Sequence, residues 1–445
     1  MLNIFGSAQS GFCDRQSRRN FIKVGALGMG GLSLPQLLQA EKEAKNGRSH
    51  KAVIMIYLPG GPPHQDMYDL KVDAPSNIRG EFSPISTNVP GIRICEHLPR
   101  MAAMADKLVF VNSLVGSIGQ HASFQCTTGR SSNNQPAGGW PELGTVISRL
   151  QGGKKQTVPN YVNLSPKMKH TPYNFGKNSF VGVGHRAFMP LGETKSDMTL
   201  QGITMERLED RRALLRSFDG LRRNLDASGM MEGLDAFQEE AFDLLTSSRL
   251  LEALDLSKED PKVRERYGKG TTKVQGDAAP RMNEQFLVAR RLVEAGARVV
   301  TVSYSFWDWH GSNFSRAKDN FPDFDRALTA LVDDLHDRGM DEDTTVIAWG
   351  EFGRTPTINE KAGRDHWPRV ANALLACGGM RTGQVIGTTD RLGGEADERP
   401  VHFQEMFATL YHNMGIDINK ATLPDLSGRP QFLVDTEHQP LPEVI

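Results

Sequence analysis

The chain has 445 residues, 38% hydrophobic and 24% charged, which suits a soluble globular protein of one large α/β domain or two smaller ones. Lys and Arg total 52 against 53 Asp and Glu, so no basic field exists to draw nucleic acid, and no nucleic-acid partner is expected. Cys13, Cys95, Cys126 and Cys377 form no CxxC pair, which argues against a disulfide framework and, with no GxGxxG after a strand, against an exported redox enzyme.

The first forty residues read as an address. Ser17-Arg18-Arg19-Asn20-Phe21-Ile22-Lys23 matches the twin-arginine consensus with Ile in place of Leu, and a glycine-rich, mildly apolar run follows to about Leu38. That run is too short and too weakly apolar to span a membrane comfortably, so a stable span is expected only if the leader is retained. Leu38-Gln39-Ala40 offers an imperfect cleavage site. Residues 1–40 are therefore expected to direct a folded chain to the periplasm or beyond. Residues 41–50 form a polar linker, and 51–445 a single domain.

The folded part opens with Ala52-Val53-Ile54-Met55-Ile56-Tyr57-Leu58, a continuous apolar run of the kind that a strand covered on both faces requires. Similar runs occur at 108–111, 298–304 and 344–349. Helical stripes lie between them: Phe286, Leu287, Leu292 and Val293, then Phe324, Leu328, Leu331, Val332 and Leu335. A late helix carries Phe403, Met406, Phe407, Leu410 and Met414. Residues 205–275 are charged and helix-prone without strands, and are expected to form a helical insertion. The alternation predicts an α/β fold, a mainly parallel central sheet sandwiched between helices.

Polar residues cluster where these strands end. His64 and Asp66 follow the first, Asp308 and His310 the third, and Glu351 and Arg354 the fourth, with His366 in a loop beyond. In open parallel sheets the carboxyl ends of strands share one edge, so these loops are expected to meet there and to supply His and carboxylate ligands for a divalent metal. Zinc is the first expectation, with manganese, iron or calcium as alternatives. Taken singly, each segment has a plainer reading: His64 braces its turn, Glu351 pairs with Arg354, and Asp365-His366 is a solvated loop. His121 to Arg130 reads as a short helix with a glycine stop, in which His121 is a ligand or a base and Ser123 and Cys126 are plain core. His402, His412 and His438 have no supporting neighbours and are read as structural or solvated. Trp307 and Trp309 are read as packing and site wall.

Together, Gly60-Gly61-Pro62-Pro63-His64-Gln65-Asp66, Thr128-Gly129-Arg130, Trp307-Asp308-Trp309-His310, Glu351-Phe352-Gly353-Arg354-Thr355-Pro356 and Gly363-Arg364-Asp365-His366 resemble the exported bacterial domain-of-unknown-function 1501 family. That family is placed in the alkaline phosphatase and sulfatase superfamily. The resemblance implies one or two divalent metals at the sheet's carboxyl edge, with Asp66, Asp308, His310 and His366 as matching ligands. Where the superfamily has an Asp-His pair, this chain has Glu351-Phe352, which keeps a carboxylate and removes an imidazole. Gly119-Gln120-His121-Ala122-Ser123 lacks the Cys/Ser, Pro and Arg of the sulfatase nucleophile motif, so formylglycine chemistry is not expected. Ser113, Ser117 or Ser123, or a metal-activated water, remain as nucleophiles. The expectation is an exported metal-dependent hydrolase of phosphate or sulfate esters, small-molecule or polysaccharide, with Arg354 gripping the anionic group. The competing expectation is a non-catalytic binding or assembly protein that retains the fold.

Overall fold

In β1 (Ala52–Tyr57) all six residues are buried, and their alternation sets the architecture. Ile54 and Ile56 enter one core, while Val53, Met55 and Tyr57 enter a second on the opposite face. Successive side chains point to opposite faces of a strand, so an unbroken apolar run is what a sheet covered on both sides demands. The computed structural model describes residues 50–152, 158–191 and 248–445. The twin-arginine segment, residues 41–49 of the linker, and residues 205–247 of the expected insertion lie outside them.

Seven further strands complete the central sheet: β2 (Leu108–Val115), β3 (Tyr161–Asn163), β4 (Val299–Ser303), β5 (Thr344–Trp349), β6 (Ala371–Cys377), β7 (Gln384–Ile386) and β8 (Val401–His402). Their order is β7-β2-β6-β5-β1-β4-β3, with β8 also beside β2. β1 lies between β4 and β5, parallel to both, with Val53 opposite Val299 and Thr345. β6 alone among these strands runs against its neighbours, β2 and β5. β2 is longer than the expected run at 108–111, because the buried Ser113 hydroxyl donates to the Arg399 carbonyl and lets the strand continue through polar residues.

The two cores are closed by helices. On one face lie α2 (Glu284–Ala295) and α3 (Asn313–Asp337), which bury Phe286, Leu287, Leu328 and Leu331. On the other lie α1 (Leu143–Gln151) and α4 (Phe403–Asn413), which bury Val146, Ile147, Met406 and Phe407. Each such side chain contributes roughly 1.5–3 kcal/mol. His402 caps α4: its ring accepts from the Gln404 amide, and Glu405 accepts from the His402 amide. Ser248–Leu254 and Pro261–Tyr267 are helical. No helix among the described residues is long and apolar enough to cross a membrane.

The consequence for chemistry lies at one edge of the sheet. β1 to β5 all end there, and the reversed β6 begins there. Loops after five strands and the segment before a sixth therefore share one rim.

Candidate metal centre

Four side chains from that rim bring one donor atom each to within 4.8 Å of one another: His121, Asp308, His310 and His366. Asp308 is the hub. Its Oδ1 lies 2.9 Å from His310 Nε2 and 3.1 Å from His366 Nε2, and its Oδ2 lies 3.2 Å from His121 Nε2. The Nε2 atoms of His310 and His366 are 3.1 Å apart. His121 follows β2, Asp308 and His310 follow β4, and His366 precedes the reversed β6. The reversal is what delivers His366 to the same rim.

Local structure makes the close approach possible. Gly60 has φ 102°, and a methyl group there would overlap the Asp308 backbone. Gly363 packs flat on the His310 carbonyl, where a side chain would likewise collide. Gly353–Arg354 pairs with His366–Trp367 in a short antiparallel ladder that sets His366 opposite Arg354. The Arg354 guanidinium, 1% exposed, donates to the carbonyls of Gly60, Gly61 and Arg364 and, at 2.6 Å, to Asp308 Oδ1. It ties the β1 and β5 loops together and orients the hub carboxylate.

The outer contacts fit an ion at the centre. Asp365 Oδ1 accepts from His310 Nδ1 at 2.6 Å, which leaves the Nε2 lone pair of His310 facing Asp308. Burial opposes a charged His121 ring, but hydrogen bonds to Asp308 and Glu351 outweigh it and push its pKa up to about 9. Burial likewise disfavours an ionised Asp308, yet His121, His366 and Arg354 hold it well below the usual carboxylate range. Three carboxylates, Asp308, Glu351 and Asp365, touch the rings, against one guanidinium, Arg354. Once an ion displaced the ring proton of His121, three carboxylates against one guanidinium would leave two negative charges for a divalent cation to balance. Three imidazoles and a carboxylate are donors typical of zinc, manganese or iron sites.

Other expected ligands, His64 and Asp66, lie outside the group of four donors. Asp66 is 1% exposed; its two oxygens receive Arg364 Nη2 at 2.8 Å, Arg364 Nε at 2.7 Å and Asn313 Nδ2 at 2.8 Å. Three of its acceptor sites are thus taken, two of them by a guanidinium. His64 is fully buried, bonds Gly393 O through Nε2, and is held neutral, burial taking its pKa down to about 4. Glu351 meets His121 Nδ1, on the side of the ring away from the four donors. Arg354, expected to grip an anion, is bound to three carbonyls and Asp308. Among the candidate nucleophiles, Ser117 donates to Glu351 O and Ser123 to the carbonyls of Pro172 and Asn174. Cys126 is buried, with burial raising its thiol pKa. Arg130 pairs with Asp435 and lies over Trp140.

Tyr173 and His170 were not anticipated. Tyr173 Oη lies 2.7 Å from His121 Nδ1, and His170 Nε2 lies 3.3 Å from the His121 carbonyl. Both sit in the loop after β3, whose three residues are too short a run to mark a strand end in the sequence. Phe352 packs against the site, its ring centroid 4.4 Å from that of His366 and 5.2 Å from that of His121.

Among solved structures the chain is similar to the PsFucS1 sulfatase from Pseudoalteromonas sp., at 13% identity and TM-score 0.36, covering 86% of this chain and 70% of that one. It is also similar to the phosphonate monoester hydrolase SpPMH from Silicibacter pomeroyi, at 12% identity and TM-score 0.34, covering 83% and 73%. The TAB5 alkaline phosphatase, in a variant with bound magnesium, gives 11% identity and TM-score 0.33, covering 82% and 98%. At such scores the likeness carries no functional argument, which rests instead on the geometry above. No curated protein matches the chain. The family described as Protein of unknown function (DUF1501) matches residues 50–445, and the chain belongs to that family.

Proposed function

We propose that this protein is an exported, metal-dependent hydrolase of phosphate or sulfate esters in which water, not a side chain, is the nucleophile. The observation that carries the proposal is the convergence of His121, Asp308, His310 and His366 at the carboxyl edge of the sheet, with the His310 side chain 46% exposed. His121, His310 and His366 would hold the ion through Nε2 and Asp308 through a carboxylate oxygen. A divalent ion there supplies Lewis acidity, polarising an ester oxygen and acidifying water near neutral pH. Imidazole-rich donors favour zinc, then manganese or iron, over calcium. Arg354 keeps Asp308 oriented, and Asp365 keeps the His310 lone pair aimed inward. Serines 113, 117 and 123 each donate to a backbone carbonyl, which supports a water nucleophile. The twin-arginine motif supports export of the folded chain to the periplasm or beyond.

One observation favours a second reading. Four protein donors fill a tetrahedral shell, as in structural zinc sites, and would leave a binding or assembly protein with a stabilising ion. Protein purified without chelator is the test, beside an Asp308→Ala/His310→Ala variant, with elemental analysis and turnover of 4-nitrophenyl phosphate and sulfate. One ion per chain, lost in the variant together with hydrolysis, is the expected result. A bound ion without turnover of either ester favours the second reading. Native protein that carries no metal and takes none up on titration sinks the hydrolase reading and leaves a binding or assembly protein without an ion.

A further inference from the structure

The side of His121 away from the four donors is as organised as the side facing them. Its Nδ1 meets Tyr173 Oη at 2.7 Å and Glu351 Oε1 at 3.4 Å. Glu351 is held in place by the Gly60 amide, which donates to the same Oε1 at 2.9 Å. The Glu351 side chain is 1% exposed, and its Oε2 has no hydrogen-bond partner. The Tyr57 hydroxyl is buried beside Glu351, and burial together with that carboxylate pushes its pKa up. Burying a carboxylate is costly, so its position needs a physical reason.

We infer that Glu351 is a positioning residue rather than a ligand: with Tyr173 it fixes the proton of His121 on Nδ1, and so presents Nε2 to the ion. The inference rests on the metal-site reading above. A neutral imidazole carries one proton, and a nitrogen that binds metal must be the one without it. Glu351 and Tyr173 are the groups that face Nδ1. The Tyr173 hydroxyl can donate or accept, whereas the Glu351 carboxylate only accepts, so Glu351 is the group that favours the proton on Nδ1. His310 has the same arrangement through Asp365, at 2.6 Å. Two of the three imidazoles are thus backed by carboxylates, Asp365 half exposed and Glu351 buried. The Glu351-Phe352 pair then makes sense as a unit. The carboxylate backs His121, and the Phe352 ring packs against the rings of His121 and His366.

The test is zinc affinity, measured by competition with a chromogenic chelator, together with the absorption spectrum of the cobalt-loaded protein. Glu351→Gln should weaken zinc binding by about 10–100-fold while leaving the intensity of the cobalt bands, and hence the coordination number, unchanged. Tyr173→Phe should weaken binding less. In a His121→Gln background, Glu351→Gln should cause no further loss, because the residue acts through His121. Unchanged affinity in Glu351→Gln overturns the inference. So does a change in cobalt band intensity, which would make Glu351 a ligand. An equal loss in the His121→Gln background overturns it as well, by revealing damage to the fold. Wild-type protein that binds neither ion fails at the earlier step, and takes the metal-site reading down with the inference.

Discussion

After β1 the chain reads His64-Gln65-Asp66, and after β4 it reads Asp308-Trp309-His310: the same two side chains, two residues apart, at the same edge of the sheet. Their surroundings differ. Asp66 faces the guanidinium of Arg364, which also donates to the carbonyls of Ile78, Thr355 and Pro356. Asp308 faces three imidazoles, and only one nitrogen of a guanidinium. A guanidinium is always protonated and fills a carboxylate in a fixed fork, so Asp66 serves as a buried staple. An imidazole can be neutral and offer a lone pair, so the Asp308 group can exchange its protons for a cation. What separates staple from ligand is the partner that the fold brings to the carboxylate.

The strongest way to break this comparison is to remove the staple. Asp66→Ala leaves Arg364 buried with no counter-charge, and should cost about 3–5 kcal/mol. Thermal melts should show a large fall in Tm, while the protein that remains folded keeps its metal stoichiometry. Loss of the metal with an unchanged Tm would make Asp66 a ligand, as the family resemblance implies, and the distinction drawn here would collapse.

His64 tests the same region through pH. Its folded pKa lies near 4, below the 6.5 of a free ring, because burial disfavours the charged form. The sign follows: the unfolded chain binds more protons between pH 6.5 and 4. The stability contributed by neutral His64 is therefore complete above pH 6.5 and is lost as pH falls toward 4. At about 1.4 kcal/mol per pKa unit the window is worth about 3 kcal/mol. His64→Gln removes the titrating group, so the Tm gap between wild type and variant should shift in the variant's favour from pH 7.5 to pH 5. A gap that stays constant over that range refutes the assignment.

The same contrast explains what could be read in advance. β1, β4 and β5 were visible because a strand buried on both faces has to be apolar throughout, and α2, α3 and α4 because each shows its core stripe at helical spacing. The candidate ligands Asp308, His310 and His366 were visible as polar residues beside those runs. The roles of Arg354 and Asp66 were not. A guanidinium reads the same in sequence whether it faces a substrate or the carbonyls of Gly60 and Gly61, and only the turn at those glycines decides. The reversal of β6 was equally hidden, since Ala371–Cys377 is as apolar as a parallel strand would be. Tyr173 was missed because β3 is so short, and a phenol carries no signal of its own.

The mildest test sharpens the comparison within the metal group itself. His310 and His64 differ in what stands behind the ring: Asp365 accepts from His310 Nδ1, whereas His64 Nδ1 is buried with no partner. Backing by a carboxylate raises the basicity of a ligand nitrogen and fixes its tautomer, and removing such a partner weakens metal binding by about 10–100-fold. Asp365 is 52% exposed and is also held by Asn359, so water screens its charge and the smaller figure applies. Asp365→Asn should therefore weaken zinc binding about tenfold, or about 1.4 kcal/mol. Its Tm without metal should barely move, because no buried charge is left unpaired. The same substitution at Asp66 should do the reverse, lowering Tm and sparing affinity. Chelator competition and melts on the two variants side by side would show whether partner chemistry, rather than the shared sequence pattern, assigns each aspartate its role.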